Sequence, residues 1–242
     1  MIEKTKGIVL TTVPYNDKMS FVHIYTERWG KQTYKVSLSK GKRSAVSRPM
    51  LAPLTELSLV ADQNEKSEVQ KIVEAEVVLS TYDITLSDVS KASQCFYIAE
   101  LVDRTVREVE NNPRLWDFLE QSVRLLSLTQ VGQANFHLVF TARLSYLLGF
   151  RVDMESWKEG SYFDVEEGVF TPGPILHAYY LAPESAVWLW RLLKTDFSGL
   201  SVLNISREQR NVLLEMMLVY LRLHIPEIGE LRSVEVLKEV FT

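Results

Sequence analysis

Residues 20–39 of the chain read SFVHIYTERWGKQTYKVSLS, and this stretch decides the fold of the N-terminal part. Its two halves, residues 20–27 and 32–39, are rich in β-branched and aromatic residues and flank the turn Trp29-Gly-Lys. This pattern predicts two antiparallel strands. On the second strand, polar side chains alternate with apolar ones: Thr33, Lys35 and Ser37 with Tyr34, Val36 and Leu38. One face of the strand is therefore expected to join a core while the other meets a ligand.

Three further apolar runs extend this pattern through the first 80 residues, at residues 6–13, 54–62 and 69–79. Short polar turns separate most of the runs, and a longer basic loop at residues 40–49 joins the third and fourth. Five antiparallel strands in so short a segment predict a small closed barrel. This number and order of strands is typical of the OB-fold, whose second and third strands commonly bind oligonucleotides.

After residue 79 the apolar period lengthens to about 3.6 residues, which predicts a mainly α-helical remainder. The first helix is expected to begin with a cap at Ser87 and to bury one apolar face, made of Val89, Ala92, Phe96, Ala99, Val102 and Val106. Further helices are predicted from residue 113 to about residue 126, and over residues 133–148, 185–194, 206–224 and 233–240.

Residues 151–181 are predicted to form an irregular insert, because the helical period disappears there. Within it, residues 162–170 predict a short β-hairpin that turns at residues 166–168. The predicted fold class is therefore α+β and multidomain. A five-stranded OB-fold β-barrel occupies residues 1–80, and a mainly α-helical C-terminal domain that carries the hairpin insert occupies residues 81–242.

Basic side chains are concentrated at the N-terminal end of a chain whose formal net charge is −4. Residues 1–50 contain ten Lys and Arg against three Asp and Glu, which leaves 17 against 28 for the remaining 192 residues. Seven cations and no acidic residue lie between residues 28 and 55: Arg28, Lys31, Lys35, Lys40, Lys42, Arg43 and Arg48. Such a surface attracts polyanions by releasing condensed counterions, so nucleic acid is the first partner to test. A local excess of charge can also serve solubility alone.

The sequence offers no catalytic or metal-binding motif. Glycine-rich phosphate loops are absent, and His23, His137, His177 and His224 lack the spacing of metal ligands. Cys95 is the single cysteine, which excludes an intramolecular disulfide and predicts a small core residue. We therefore predict a non-enzymatic protein without catalytic residues, cofactor or metal. No apolar run of about 18 residues and no secretory signal pattern occur, so a cytoplasmic location is expected.

Five short motifs follow one another along the chain: Lys4-Thr-Lys-Gly-Ile-Val-Leu, Tyr25-Thr26 with Gly30, Pro53-Leu-Thr-Glu-Leu, Phe136-His-Leu-Val-Phe with Leu147-Leu-Gly-Phe, and Gly229-Glu-Leu-Arg-Ser-Val-Glu-Val-Leu. Their order and spacing together resemble the bacterial recombination mediator family RecO, over essentially the whole chain. Many members carry a four-cysteine zinc module after the Leu-Gly-Phe/Tyr turn. The corresponding residues 151–181 contain no cysteine here, so zinc is not carried over.

The resemblance implies a non-enzymatic role in DNA repair and homologous recombination through the RecF pathway. Members of the family bind single- and double-stranded DNA and anneal complementary strands. They also engage the single-strand-binding protein and, with RecR, help to load RecA. A place of action in the bacterial cytoplasm, at the nucleoid during repair, is implied as well.

On this basis we predict a DNA-binding face whose cations hold phosphates, while Trp29 or Tyr34 stacks on bases. Its residues are Arg28, Trp29, Lys31, Tyr34, Lys35, Lys40, Lys42, Arg43 and Arg48. The acidic helical body is expected to meet proteins instead. The acidic, apolar-ended tail of the single-strand-binding protein calls for an apolar groove with a cation. The resemblance places Arg232, and after it Arg143 and Arg222, in that role.

Two functions of other classes stay open. One is an RNA-binding OB module, which would prefer RNA to DNA and would not anneal strands. The other is a protein scaffold whose basic face docks an acidic partner, which would bind DNA only weakly at physiological salt.

Overall fold

The protein is described by a computed structural model that covers residues 1–38, 45–64, 66–107 and 110–241. Its strands are β1 (Ile2–Pro14), β2 (Met19–Thr26), β3 (Gly30–Ser37), β4 (Glu56–Asp62), β5 (Val69–Leu79), β6 (Tyr162–Asp164), β7 (Val169–Thr171) and β8 (Tyr180–Leu181). Its α-helices are α1 (Tyr82–Ser87), α2 (Val89–Thr105), α3 (Pro113–Leu128), α4 (Phe136–Leu147), α5 (Pro183–Lys194), α6 (Arg207–His224) and α7 (Ser233–Val240). None of these helices is long and apolar enough to cross a membrane. The chain divides into two compact units, Met1–Leu128 and Thr129–Thr242.

Strands β1 to β5 form a closed barrel in the order β1-β2-β3-β5-β4, and β4 pairs with β1 to close it. Neighbouring strands are antiparallel except for the short parallel pair of β3 and β5. Alternate side chains point inward and form the barrel core, among them Val22, Ile24, Tyr34, Val36, Leu57 and Leu59. The barrel followed by helices confirms the predicted fold class.

Two positions in the barrel depend on particular backbone geometry. A Cβ atom added to Gly7 would lie 2.5 Å from Ile24 Cγ2, so β1 approaches β2 closely only with glycine there. Leu54 has a φ of 65°, which is left-handed and incompatible with a strand. The predicted start of the fourth strand at residue 54 is therefore wrong, and β4 begins at Glu56. The predicted end of the third strand, residue 39, lies outside the described residues.

Helices α1, α2 and α3 belong to the first unit together with the barrel. The predicted cap at Ser87 is wrong, because Ser87 is the last residue of α1. The cap of α2 is Asp88, whose side chain accepts a hydrogen bond from the backbone N–H of Lys91. The Asn112 side chain accepts a hydrogen bond from Leu115 N–H at the start of α3, where a helix was predicted. The predicted domain boundary between residues 80 and 81 stays a prediction.

The buried face of α2 differs from the predicted one. Val89 and Phe96 are exposed by 70% and 52%, although both were expected to be buried. Lys91 takes a buried position instead, because its Nζ donates to the Ser127 carbonyl oxygen near the end of α3 at 2.8 Å. Because the Lys91 ammonium is hydrogen-bonded, this lysine can be buried. The buried side of α2 therefore includes Lys91 and lies at a different angle around the helix from the apolar face that was predicted. Cys95 is buried, as predicted.

The second unit contains α4 to α7 and a three-stranded sheet in the order β7-β6-β8. Its helices lie where the apolar period predicted them, and α4, α5 and α6 pack against one another. The β6–β7 hairpin is the predicted one, and its Phe163 and Phe170 rings contact each other in the core with centroids 5.0 Å apart. Within the ranges covered, no three His, Cys, Asp or Glu side chains gather into a metal site.

Candidate nucleic-acid interface

The outer face of β2 and β3 carries four cross-strand rows of side chains, of which Met19 opposite Ser37 is the outermost. Antiparallel pairing places Phe21 opposite Lys35, His23 opposite Thr33, and Tyr25 opposite Lys31. Paired residues project from the same side of a sheet, and the alternating residues between them form the barrel core. These rows are therefore the part of the two strands that faces outward from the barrel.

Helices α2 and α3 pack against two of these rows, whose His23, Lys31 and Thr33 also line a groove. The Tyr25 ring is 1% exposed and stacks on Trp116 of α3, with centroids 6.5 Å apart. Asp103 of α2 lies over the next row, where its Oδ1 is 2.8 Å from His23 Nδ1. Lys31 Nζ donates to the Asp103 carbonyl oxygen at 2.5 Å and lies 3.6 Å from Oδ1. The helices thus occupy the Tyr25 end of the face.

Charge interactions hold Lys31 in its contact with Asp103. Burial lowers the pKa of Lys31, against the opposing effect of the Asp103 carboxylate. Burial also acts to raise the pKa of Asp103, but the hydrogen bond from His23 and the charges of His23 and Lys31 outweigh it and lower the pKa. Asp103 therefore stays ionised and neutralises Lys31. This lysine is held by the protein itself.

The row of Phe21 and Lys35 is open. On β3, Lys35 is exposed, and the parallel pairing with β5 sets Lys71 directly beside it. No ion pair of the described residues involves either lysine. On the other side of Phe21, Val13 of β1 continues the row and is 46% exposed. We call these four residues the open row.

The basic loop after β3 is described only in part. Arg48 is exposed and opens the short helical turn Arg48–Leu51. The other predicted cations of the loop, Lys40, Lys42 and Arg43, lie outside the described residues. Their assignment to the site stays a prediction.

The predicted site residues at the β2–β3 turn and inside β3 differ in how accessible they are to a ligand. Arg28 forms an ion pair with Glu3 and lies over the Trp29 ring, 5.4 Å from its centroid. Trp29 is half-buried and packs against the barrel core. The prediction that Tyr34 stacks on bases is wrong, because its ring is fully buried and its hydroxyl accepts a hydrogen bond from Gln63 Nε2. Burial also raises the pKa of Tyr34.

A groove of about 1000 Å³ is lined by Trp29, Lys31, parts of the β4–β5 connection, and Arg107. Lys66 and Arg107 add two exposed cations to it. Neither these residues nor Lys71 were predicted from the sequence, because all three lie outside the basic run. Barrel closure brings Lys71 beside β3, and the packing of α2 brings Arg107 there. The available sequence signal for Lys66 and Lys71 was a basic residue just before or within the fifth predicted strand.

The second unit contains a separate cavity of about 300 Å³. Apolar side chains of α5, α6 and the segment after α4 line most of it, including Leu189, Leu193, Met217, Phe150 and Met154. Arg143 of α4 also lines the cavity and donates from Nη2 to the Thr195 carbonyl oxygen at 2.9 Å. The other two predicted partner-binding residues, Arg222 and Arg232, are exposed and do not line it.

Comparison with known proteins covers both units. The family model described as Recombination protein O N terminal matches residues 1–81, and the one described as Recombination protein O C terminal matches residues 86–233. The chain belongs to the RecO family. A RecO protein from Phocaeicola vulgatus, named DNA repair protein RecO, is 36% identical over the full length of both chains. Proteins of the same name from Bacteroides fragilis and Porphyromonas gingivalis are 33% and 28% identical, again over both full lengths.

Membership of the RecO family confirms the resemblance found in the sequence motifs. It also makes DNA repair and recombination the functional setting of this protein.

Proposed function

We propose that the first unit binds single- and double-stranded DNA through the open row and the adjoining basic loop. The observation that carries the proposal is the pair Lys35 and Lys71, two exposed ammonium groups on neighbouring strands without a carboxylate partner among the described residues. Like charges directly opposite each other destabilise a sheet. A bound phosphate offsets that repulsion, so an anion lowers the electrostatic energy of the face.

Binding on such a face anneals complementary strands without catalysis. Two strands that share one cationic surface repel each other less, and their effective concentration rises. Neither step requires nucleotide hydrolysis or a nucleophile. The proposed activity is therefore non-enzymatic and acts within the DNA repair role of the family.

A salt series tests the DNA-binding surface. We expect binding of a labelled single-stranded oligonucleotide, measured by fluorescence anisotropy, to weaken with salt on a log-log slope of about 0.7 per phosphate contact. Replacing both Lys35 and Lys71 by alanine is expected to lower the slope by about 1.4, whereas Lys158→Ala in the second unit leaves it unchanged. The triple variant Lys40→Ala, Lys42→Ala, Arg43→Ala tests the loop in the same way. Unchanged affinity and slope in both basic variants would contradict the assignment.

Annealing is measured in the same samples by adding the complementary strand. Faster pairing with the wild-type protein than with the Lys35 and Lys71 double variant supports the proposed mechanism. An RNA-binding module would instead prefer an RNA strand of the same sequence and leave pairing unaccelerated. A scaffold that docks an acidic protein would show weak oligonucleotide binding even at low salt.

We further propose that the cavity beside Arg143 receives the acidic, apolar-ended tail of the single-strand-binding protein. Its apolar walls suit the terminal side chains, and the Arg143 guanidinium suits a carboxylate. Arg143→Ala is expected to weaken binding of a labelled tail peptide about tenfold or more, and Arg207→Ala, at an exposed position of the same unit, serves as the matched control. Equal binding by a folded Arg143→Ala protein would remove this site. Cooperation with RecR in loading RecA, within the bacterial cytoplasm and at the nucleoid, completes the proposed role.

A further inference from the structure

An exposed aromatic ring lies beside the open row, against Phe21. Tyr15 lies in the turn between β1 and β2 and is 65% exposed. Its ring packs edge-on against Phe21, with centroids 5.4 Å apart and an interplanar angle of 70°. Phe21 is half-buried and pairs with Lys35 across the sheet. Two cations and two aromatic rings therefore lie side by side on one outer face.

The turn that carries Tyr15 is held in place by its own hydrogen bonds. Asn16 Oδ1 accepts from the backbone N–H of Lys18 at 3.0 Å and of Met19 at 2.9 Å. The Tyr15 N–H donates to the Met19 carbonyl oxygen at 2.9 Å. An Asx-type turn of this kind fixes the backbone, so a ligand has to order only the few torsions of the tyrosine side chain. Lys18 is exposed in the same turn, beside Asp17.

A ring in this position has the chemistry of a stacking platform. Proteins that hold single strands combine cations along the backbone with aromatic side chains on which successive bases stack. Stacking is tolerant of sequence because every base has a π-face. Tyr34 is in the core and Trp29 packs against it, which leaves Tyr15 as the most exposed ring of the described barrel strands and turns.

We propose that Tyr15, supported by Phe21, stacks on a base of single-stranded nucleic acid whose phosphates lie along Lys35 and Lys71. This inference rests on the proposed DNA-binding function and names the part of the ligand that the open row recognises. Duplex DNA keeps its bases stacked inside the helix, so the platform acts on single strands only. The open row thus distinguishes single strands from duplexes through the ring and binds both through the lysines.

Substitution of Tyr15 separates stacking from charge. We expect Tyr15→Ala to weaken binding of a single-stranded oligonucleotide about tenfold while the salt slope stays as in the wild type, because no phosphate contact is lost. Tyr15→Phe retains the ring and is expected to bind like the wild type. Tyr82→Ala, which removes a tyrosine from α1 that is 37% exposed, is the matched control and is expected to change nothing. Affinity for a duplex of equal length should be the same in all four proteins.

An oligonucleotide made of abasic units tests the same contact from the ligand side. It keeps the phosphates and lacks every base, so wild-type protein and Tyr15→Ala are expected to bind it with equal affinity. A strand with 2-aminopurine in place of one base should show fluorescence quenching with the wild type and with Tyr15→Phe, and less with Tyr15→Ala.

The outcomes are distinguishable from those of the proposed function. If Tyr15→Ala binds the normal single strand as tightly as the wild type while the Lys35 and Lys71 double variant shows the smaller salt slope, the platform is refuted and the DNA-binding function stands. If the wild-type protein binds no oligonucleotide, both are refuted. A tenfold loss confined to the base-containing single strand establishes the platform.

Discussion

At the scale of single residues, His137 gives the second unit a pH-dependent stability. The side chain is buried in α4 and stacks on Phe241, with ring centroids 5.7 Å apart. Burial lowers the pKa of His137 to about 3, and the charge of Arg210 acts in the same direction. An unfolded histidine titrates near pH 6.5, so below that pH the unfolded chain takes up a proton that the folded protein does not. Stability is therefore fully present above about pH 6.5 and falls as the pH is lowered.

This effect is measurable by urea unfolding. Between pH 7.0 and pH 5.5 we expect His137 to contribute a loss of about 1 kcal/mol in the free energy of unfolding. The comparison is between the wild type and His137→Gln, since the contributions of all other groups cancel in the difference between the two proteins. Thr141→Ser, a buried substitution without a titrating side chain in the same helix, is the control and should keep the wild-type dependence. An identical pH dependence in the wild type and His137→Gln would contradict the prediction.

At the scale of elements, the cap of α2 tests the corrected helix start. Asp88→Ala removes the acceptor for the Lys91 N–H and is expected to lower the free energy of unfolding by about 1 kcal/mol. Ser87→Ala is the neighbouring control, because the Ser87 hydroxyl only donates to the Asp83 carbonyl oxygen inside α1. Its expected effect is within about 0.5 kcal/mol. A larger loss from Ser87→Ala than from Asp88→Ala would restore the cap that the sequence predicted.

The elements also show how far local pattern predicts this protein. The five barrel strands and most helices were predictable because each is encoded by a short-range period of apolar residues. Leu54 and Phe96 were misplaced because tertiary packing, and not period, decides a left-handed turn and the exposed side of α2. The run of cations indicated the candidate face through Lys35, but it did not include Lys71. The packing of α2 against part of this face could not be predicted, because the contact of Asp103 with His23 joins residues 80 positions apart.

At the scale of the whole molecule, the first unit is expected to need its helices. In a fragment of residues 1–81, Tyr25 loses Trp116, and the buried Glu56 carboxylate loses Arg124, whose Nη2 lies 3.1 Å from its Oε2. Solvent reaches Glu56 in that fragment and Lys6 stays 3.5 Å from it, so the main cost is exposure of the Tyr25 ring, about 2 kcal/mol. A fragment of residues 1–128 keeps both contacts. We expect the free energy of unfolding of the longer fragment to be higher by at least that amount. Urea unfolding monitored by far-UV circular dichroism, a signal that does not depend on tryptophan, measures it.

Fluorescence of a hydrophobic dye provides the second readout for these fragments. The shorter one should bind the dye, because the Tyr25 end of its outer face is uncovered, while the longer one should not. Equal stability of the two fragments, with no dye bound by either, would show that the barrel folds alone and would favour the domain boundary predicted between residues 80 and 81.

If DNA binds at the open row as proposed, the packing of α2 and α3 against two other rows also limits how much strand this row can hold. The open row crosses four strands, β1, β2, β3 and β5, whose axes are about 4.8 Å apart, so it is about 14 Å long. At about 3.4 Å per phosphate, the spacing along one strand of a duplex, that length matches about four nucleotides, and an extended single strand places fewer there. A bound strand extends beyond so small a footprint on both sides. Long strands would then be covered by many molecules, and the protein required would grow in proportion to the length of exposed strand.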